Sequence, residues 1–237
     1  MNAKQLTASI LLSILLSALL LGRFTGCETN KSKDNMVQTK EKVFTKKYTN
    51  ADFYVDGKFN GEVALKAYLE MFEFYGVPFT DFMKENMWIS DFGLGDFEHA
   101  GMAGVFWVND PVNRHFGHEI YLLPGQMIPE HRHVATPEYP AKFESWMVRN
   151  GSAYNFGIGD PTPNPPALPE SQKEAITVSN FTYMKVGDIL PLKELLSPHF
   201  LRAGDNGAII SEFGTYQDGN GLKFTNQKAV FTDVLRP

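Results

Sequence analysis

Six histidines stand in the chain: His99, His115, His118, His131, His133 and His199. Two of them are one residue apart in the segment Gly125-Gln126-Met127-Ile128-Pro129-Glu130-His131-Arg132-His133. On a β-strand alternate side chains share a face, so His131 and His133 would point the same way, about 7 Å apart along the chain. That spacing suits two ligands of one ion. Glu144 follows, and His199 comes later at the start of another predicted strand. Three imidazoles and one carboxylate form an octahedral-type donor set with two open positions, suited to Mn, Fe, Ni or Zn. A bare His-x-His is more often a pair of exposed strand residues, so the surroundings must decide. His115 and His118 flank Phe116-Gly117 ahead of a strand, where they could face a pocket, though a packed or surface role is the simpler expectation.

The elements that must carry these residues are short and β-favouring. After Trp88 the stretches 104–108, 119–123, 144–149, 153–156, 176–184, 199–202, 208–213 and 229–234 alternate with Gly, Pro, Asn and Asp. Many short strands with no helical period between them predict an antiparallel sandwich or barrel. Trp107 and Trp146 fall on such strands, as core or pocket wall. Asp91 and Asp96 sit beside glycines and suit turns. Ahead of the strands, Val63, Ala64, Ala67, Tyr68, Met71, Phe72 and Tyr75 recur at three and four, which predicts a helix with one apolar face. Gly76 and Pro78 end it. Thr80-Asp81 caps a second, shorter helix through about Met87.

The 237 residues are 43% apolar and 21% charged, a globular composition with ample core material. The net charge of −5 offers no electrostatic footprint for nucleic acid. A single cysteine, Cys27, excludes internal disulfides and cysteine-rich zinc modules. Lys4 precedes a short apolar run, Ile10 to Leu21, and small residues follow. The run is too short to span a bilayer, so 1–26 reads as a secretory signal. The sequence Phe24-Thr25-Gly26-Cys27 resembles a bacterial lipobox, which implies lipidation of Cys27 and an extracytoplasmic, membrane-anchored lipoprotein. Residues 27–48 hold six lysines among polar residues and read as a flexible tether, leaving 49–237 as one folded domain.

The histidine segment resembles the first cupin motif, which is Gly, five residues, His-x-His, three or four residues, Glu, six residues, Gly. Gly125 to His131 and Glu144 to Gly151 keep the motif spacings, while ten residues stand between His133 and Glu144. Trp88-Ile89-Ser90-Asp91-Phe92-Gly93-Leu94-Gly95-Asp96-Phe97 is similar to a segment of the D-lyxose isomerase family of cupins. The resemblance covers about residues 86–226. It implies a mainly β fold, a cupin-type antiparallel β-barrel (jelly roll) with one or two N-terminal helices. It implies metal ligands His131, His133, Glu144 and His199, and a divalent ion, manganese first with zinc, iron or nickel as alternatives. The family has a lysine two residues before the ligand glutamate, as Lys142 is here, and a glutamate on a late strand, as Glu212 is here.

Aldose–ketose isomerisation of a small sugar follows as the implied activity. Glu212, a carboxylate not needed as a ligand, is then the base that moves a proton through an enediol. Lys142 steadies the developing oxyanion. A hydride shift that needs no strong base is the mechanistic alternative. Asp218 and Lys223 are substrate contacts by resemblance alone. An extracytoplasmic carbohydrate-binding cupin without turnover and a metal-dependent dioxygenase stay open at this level, and so does a homodimer.

Overall fold

The computed structural model describes residues 43–233 and residue 235. The expected signal segment 1–26, Cys27 and the tether as far as residue 42 lie outside the described residues. A short helix α1 (Asn50–Phe53) and a hairpin of β1 (Tyr54–Val55) and β2 (Lys58–Phe59) lead into helix α2 (Gly61–Tyr75). The Asn60 side chain accepts from Val63 N and caps α2. Thr80 caps helix α3 (Asp81–Asn86) by accepting from Met83 N.

The strands are β3 (Trp88–Ser90), β4 (Met102–Asp110), β5 (His115–Leu122), β6 (His131–His133), β7 (Glu144–Gly157), β8 (Asn180–Lys185), β9 (Ile189–Pro191), β10 (Phe200–Gly214) and β11 (Leu222–Phe224). The large sheet runs β3-β4-β5-β10-β7-β8, with β9 also paired to β7. β6 and β11 form a second, two-stranded sheet. All of these pairs are antiparallel. This is the expected cupin-type barrel with helices ahead of it.

Both faces of the large sheet are covered, and the two-residue period of its strands sorts their side chains. On one face Ala103, Val105, Tyr121 and Ile209 pack against Ala64, Ala67, Tyr68, Met71 and Phe72 of α2. On the other, Met102, Ile120, Leu122, Ala208 and Ile210 join Trp88, Trp146 and Leu201 in the barrel interior.

Several expectations change. The stretches 144–149 and 153–156 form one strand, β7, and 199–202 and 208–213 form β10, with a register shift between Ala203 and Ala208. The strand expected over 176–184 starts only at Asn180, because the buried Glu130 carboxylate takes the amides of Thr177 (2.7 Å) and Val178 (3.1 Å). Residues 229–233 form no strand. Val230 N instead donates to Phe92 O, and Thr232 N to Ser90 Oγ. Packing also begins before residue 49. Phe44 meets Phe74 at 5.3 Å between centroids, and Lys46 and Lys47 pair with Glu98 and Glu70.

Candidate metal centre and active site

His131 and His199 face each other across an isolated antiparallel bridge. His131 N donates to His199 O at 3.0 Å, and His199 N donates to His131 O at 2.9 Å. This exchange brings the two rings to 4.4 Å between centroids. Strand alternation on β6 turns His133 to the same side, 5.3 Å from the His131 ring, and sends Arg132 out to solvent. The three imidazoles offer nitrogens that all lie within 4.8 Å of one another. His131 Nδ1 sits 2.9 Å from Pro129 O and His199 Nδ1 3.0 Å from Ser197 O. A carbonyl only accepts, so each Nδ1 carries the proton and each Nε2 keeps its lone pair for a ligand.

The ten residues between His133 and Glu144 form a loop that leaves Glu144 in place. Thr136 N donates to Tyr139 O within it, and Val134 N donates to Gly221 O at its start. Glu144 then opens β7 opposite Gly214. Its Oε1 lies 2.9 Å from His199 Nε2 and 3.3 Å from His133 Nε2. Glu144 Oε1 and His199 Nε2 are nevertheless buried without a hydrogen-bond partner. Two acceptor atoms aimed at one point fit a shared cation. The donor set of three imidazoles and a carboxylate therefore fits a divalent transition metal.

Glu212 enters by register. It stands opposite His118 of β5 on one side and Trp146 of β7 on the other, so all three face the interior. Lys142 bridges the carboxylates, donating to Glu144 Oε2 at 2.7 Å and to Glu212 Oε1. Its ammonium also lies 4.0 Å from the centre of the Phe116 ring. His118 Nδ1 contacts Glu212 Oε2 at 3.0 Å. A buried chain thus runs from His118 through Glu212 and Lys142 to Glu144 and the histidines.

Burial sets the charges, modified by these neighbours. Burial holds the His131 imidazole well below its usual value, helped by His199 and His133. Burial does the same to His133, helped by Lys142 and His199. Burial raises the Glu144 carboxyl, but Lys142 and His199 more than offset it, and it sits well below the carboxylate range. Burial pulls the Lys142 ammonium down, and Glu144 and Glu212 more than restore it, so it stays charged. Burial lowers His199 too, and Glu144 more than offsets this.

These groups line one pocket. Its other walls are mostly apolar, among them Trp88, Phe106, Trp146, Leu201, Phe224 and Phe231, with Gln217 as a neutral polar group. Asp218 and Lys223, expected as substrate contacts, do not line it. Asp218 accepts from Thr136 Oγ1 and Asn220 N and so shapes a loop. Lys223 alternates outward on β11 while Leu222 and Phe224 turn in. Trp107 is likewise outside, 46% exposed and stacked on Phe82, whereas Trp146 is pocket wall. Asp91 and Asp96 hold turns and loops, as their glycine neighbours implied.

No family model matches the chain. A D-lyxose/D-mannose isomerase of Thermosediminibacter oceani is 33% identical to it over 168 residues, which are 70% of this chain and 91% of that protein. The chain belongs to the D-lyxose isomerase family. A D-lyxose ketol-isomerase of a Thermofilum species is 34% identical over 168 residues, 70% of this chain and 87% of that one. Among solved structures, the L-ribose isomerase of Acinetobacter sp. DL28 with L-ribose shares the fold, with a TM-score of 0.58 at 16% identity over 71% of this chain and 92% of that one.

Two residues of this D-lyxose isomerase family member, Gln217 and Glu130, have no local spacing that announces their roles. Gln217 reaches the pocket from a late loop, and His118, for which a packed or surface role is the simpler expectation, reaches it from a mid-sheet strand. Glu130 lies beside His131, but its role is to hold Thr177, Val178 and Thr225 around the β6 strand.

Proposed function

We propose that this protein is a metal-dependent aldose–ketose isomerase acting on a free sugar of the D-lyxose type. The observation that carries the reading is Glu212, a buried carboxylate beside the histidine cluster and outside its donor set. His131, His133, His199 and Glu144 would hold the divalent ion, which we take to be manganese, with zinc, iron or nickel as alternatives. When bound, such an ion supplies Lewis-acid polarisation of a carbonyl. Glu212 takes the proton from C2 of the aldose and returns it to C1 of the enediol, while the O2 hydroxyl proton passes to O1 by way of Lys142, leaving the ketose. Lys142 places its charge between Glu212 and Glu144 and steadies negative charge that develops on the sugar oxygens. The apolar walls exclude water, so the proton is carried over and not exchanged away.

The test is turnover of D-lyxose and D-mannose by the manganese-loaded chain, beside a Glu212→Gln variant. We expect the variant to keep its metal and lose at least about a hundredfold in kcat, the scale of a positioned base. Normal turnover by Glu212→Gln would remove Glu212 from the reaction. We also propose export and anchoring through lipid on Cys27, with the basic stretch after it as tether, supported by the apolar run and Gly26-Cys27. Incorporation of labelled palmitate that Cys27→Ser abolishes is the expected result. No incorporation into the native chain would refute the anchor.

A further inference from the structure

We infer that His118 is a positioning residue for Glu212, fixing the plane of its carboxylate in the pocket. The inference rests on the reading of Glu212 as the base. Both carboxylate oxygens are held from different elements: Oε1 by Lys142, from the loop before β7, and Oε2 by His118 Nδ1 at 3.0 Å, from β5. A carboxylate beside an ammonium only accepts, so Nδ1 carries the histidine proton. Nε2 is then bare, and it is buried without a partner. It abuts Gly104 of β4, where an added Cβ would lie 2.3 Å from Nε2 and 2.6 Å from the Trp88 ring. A proton on Nε2 would find no acceptor there, so the surroundings hold one tautomer.

The ring itself is fixed by aromatic neighbours. Trp88 stacks on it at 5.4 Å between centroids, Phe106 lies at 4.7 Å and Phe116 at 5.8 Å. Phe116 also carries the Lys142 ammonium on its face, so one ring locates both partners of Glu212. With both oxygens anchored, the carboxylate cannot rotate, and its remaining lone pairs keep one direction. That is the arrangement a proton-transferring base needs, since catalytic geometry tolerates errors of only about 0.5 Å.

The test compares His118→Phe, which keeps the ring packing but has no donor, with His118→Asn, whose amide N–H reaches the position of Nδ1. Both are assayed as full chains loaded with manganese. We expect the Phe variant to lose at least about tenfold in kcat with KM within about twofold, because the base is misaligned and not removed. Its isotope effect with C2-deuterated sugar should rise. The Asn variant should recover most of the loss. Metal content and melting temperature should match the native chain in both. Independently of any variant, nitrogen spectra of the native chain labelled at histidine should show one imidazole with Nδ1 protonated and Nε2 bare, which changes in Glu212→Gln. Equal losses in Phe and Asn would mean packing alone and overturn the inference, as would a Phe variant with native kcat or a protonated Nε2. If Glu212→Gln is inactive and His118→Phe is normal, only this inference falls. If Glu212→Gln is active, the base assignment falls and the inference with it.

Discussion

Glu144 Oε1 lies 2.9 Å from His199 Nε2, and both atoms are buried with no hydrogen bond between them. Two unsatisfied acceptors at this distance are costly without a cation to share. Removing the metal should therefore destabilise the whole domain. At metal concentrations about a hundred times Kd, binding stabilises by about 2.7 kcal/mol, or roughly 5–10 °C for a domain of this size. We expect chelated protein to melt that much lower, and stoichiometric manganese to restore it. His131→Ala should bind less metal and show a smaller shift. Identical melting of stripped and loaded protein would exclude a metal at these residues.

Lys142 lies between two buried carboxylates, Glu144 and Glu212, and pairs with both. Lys142→Met keeps the length of the side chain and removes the charge. Breaking a buried pair from one side costs about 3–5 kcal/mol, because the partners are left uncompensated. Urea unfolding of the metal-free variant should show a loss of that order, and the loaded variant should be inactive as well. A loss below about 1 kcal/mol would mean that water reaches these carboxylates and solvates them.

The parts of this site that lie on regular periods were legible in the sequence. The α2 face followed from three-and-four spacing, and His131 with His133 from alternation on a strand. The ten-residue loop before Glu144 lengthens the motif without moving its carboxylate, since pairing with Gly214 sets that position. Contacts between distant strands left no local trace. The approach of His118 to Glu212 depends on the β5–β10 register, which no spacing within either segment encodes. Residues 229–233 have strand-favouring side chains but pack on Phe92 and Ser90 without a ladder, so composition alone misreads them.

Residues 44–50 dock through carboxylates. Lys46 pairs with Glu98 at 2.8 Å, Lys47 with Glu70 at 3.0 Å, and Asn50 donates to Asp96 at 2.7 Å. For Glu98, Glu70 and Asp96 burial alone would raise the carboxyl. The bonds from Lys46 and Asn50, from Lys47 and Tyr48, and from Ser171, Asn50 and His99 respectively outweigh it, so all three lie below their usual values of 4.5, 4.5 and 3.8. A depressed carboxylate contributes stability above its unfolded value and loses it as pH falls through the folded one. The segment should stay docked at neutral pH and loosen as the pH falls below about 4. Hydrogen exchange at residues 44–52 should accelerate there, relative to the core of β10, in the native chain. With Glu98→Gln it should already be faster at pH 7. Exchange at 44–52 that tracks β10 at every pH would show that the segment has no separate acid transition.

Gly151 marks where the catalytic stretch of β10 begins to pair with β7. It stands opposite Ala208 at φ 71°, and a Cβ there would lie 2.0 Å from Gly207 O and 2.9 Å from Tyr75 Oη. Gly151→Ala therefore meets both left-handed strain, about 1–2 kcal/mol, and a backbone collision that only strand separation relieves. Beyond this point the same register sets Glu212 beside Trp146 and Gly214 beside Glu144. Strain at Gly151 should thus reach the metal centre. We expect Gly151→Ala to lose at least about 3 kcal/mol in urea unfolding and to bind manganese more weakly. Gly157→Ala, on the same strand with nothing within 4 Å of the added Cβ, should change stability by less than about 0.5 kcal/mol and leave metal affinity unaltered. Equal effects of the two substitutions would mean that the loss reflects a general intolerance of β7 and not the close approach at Gly207.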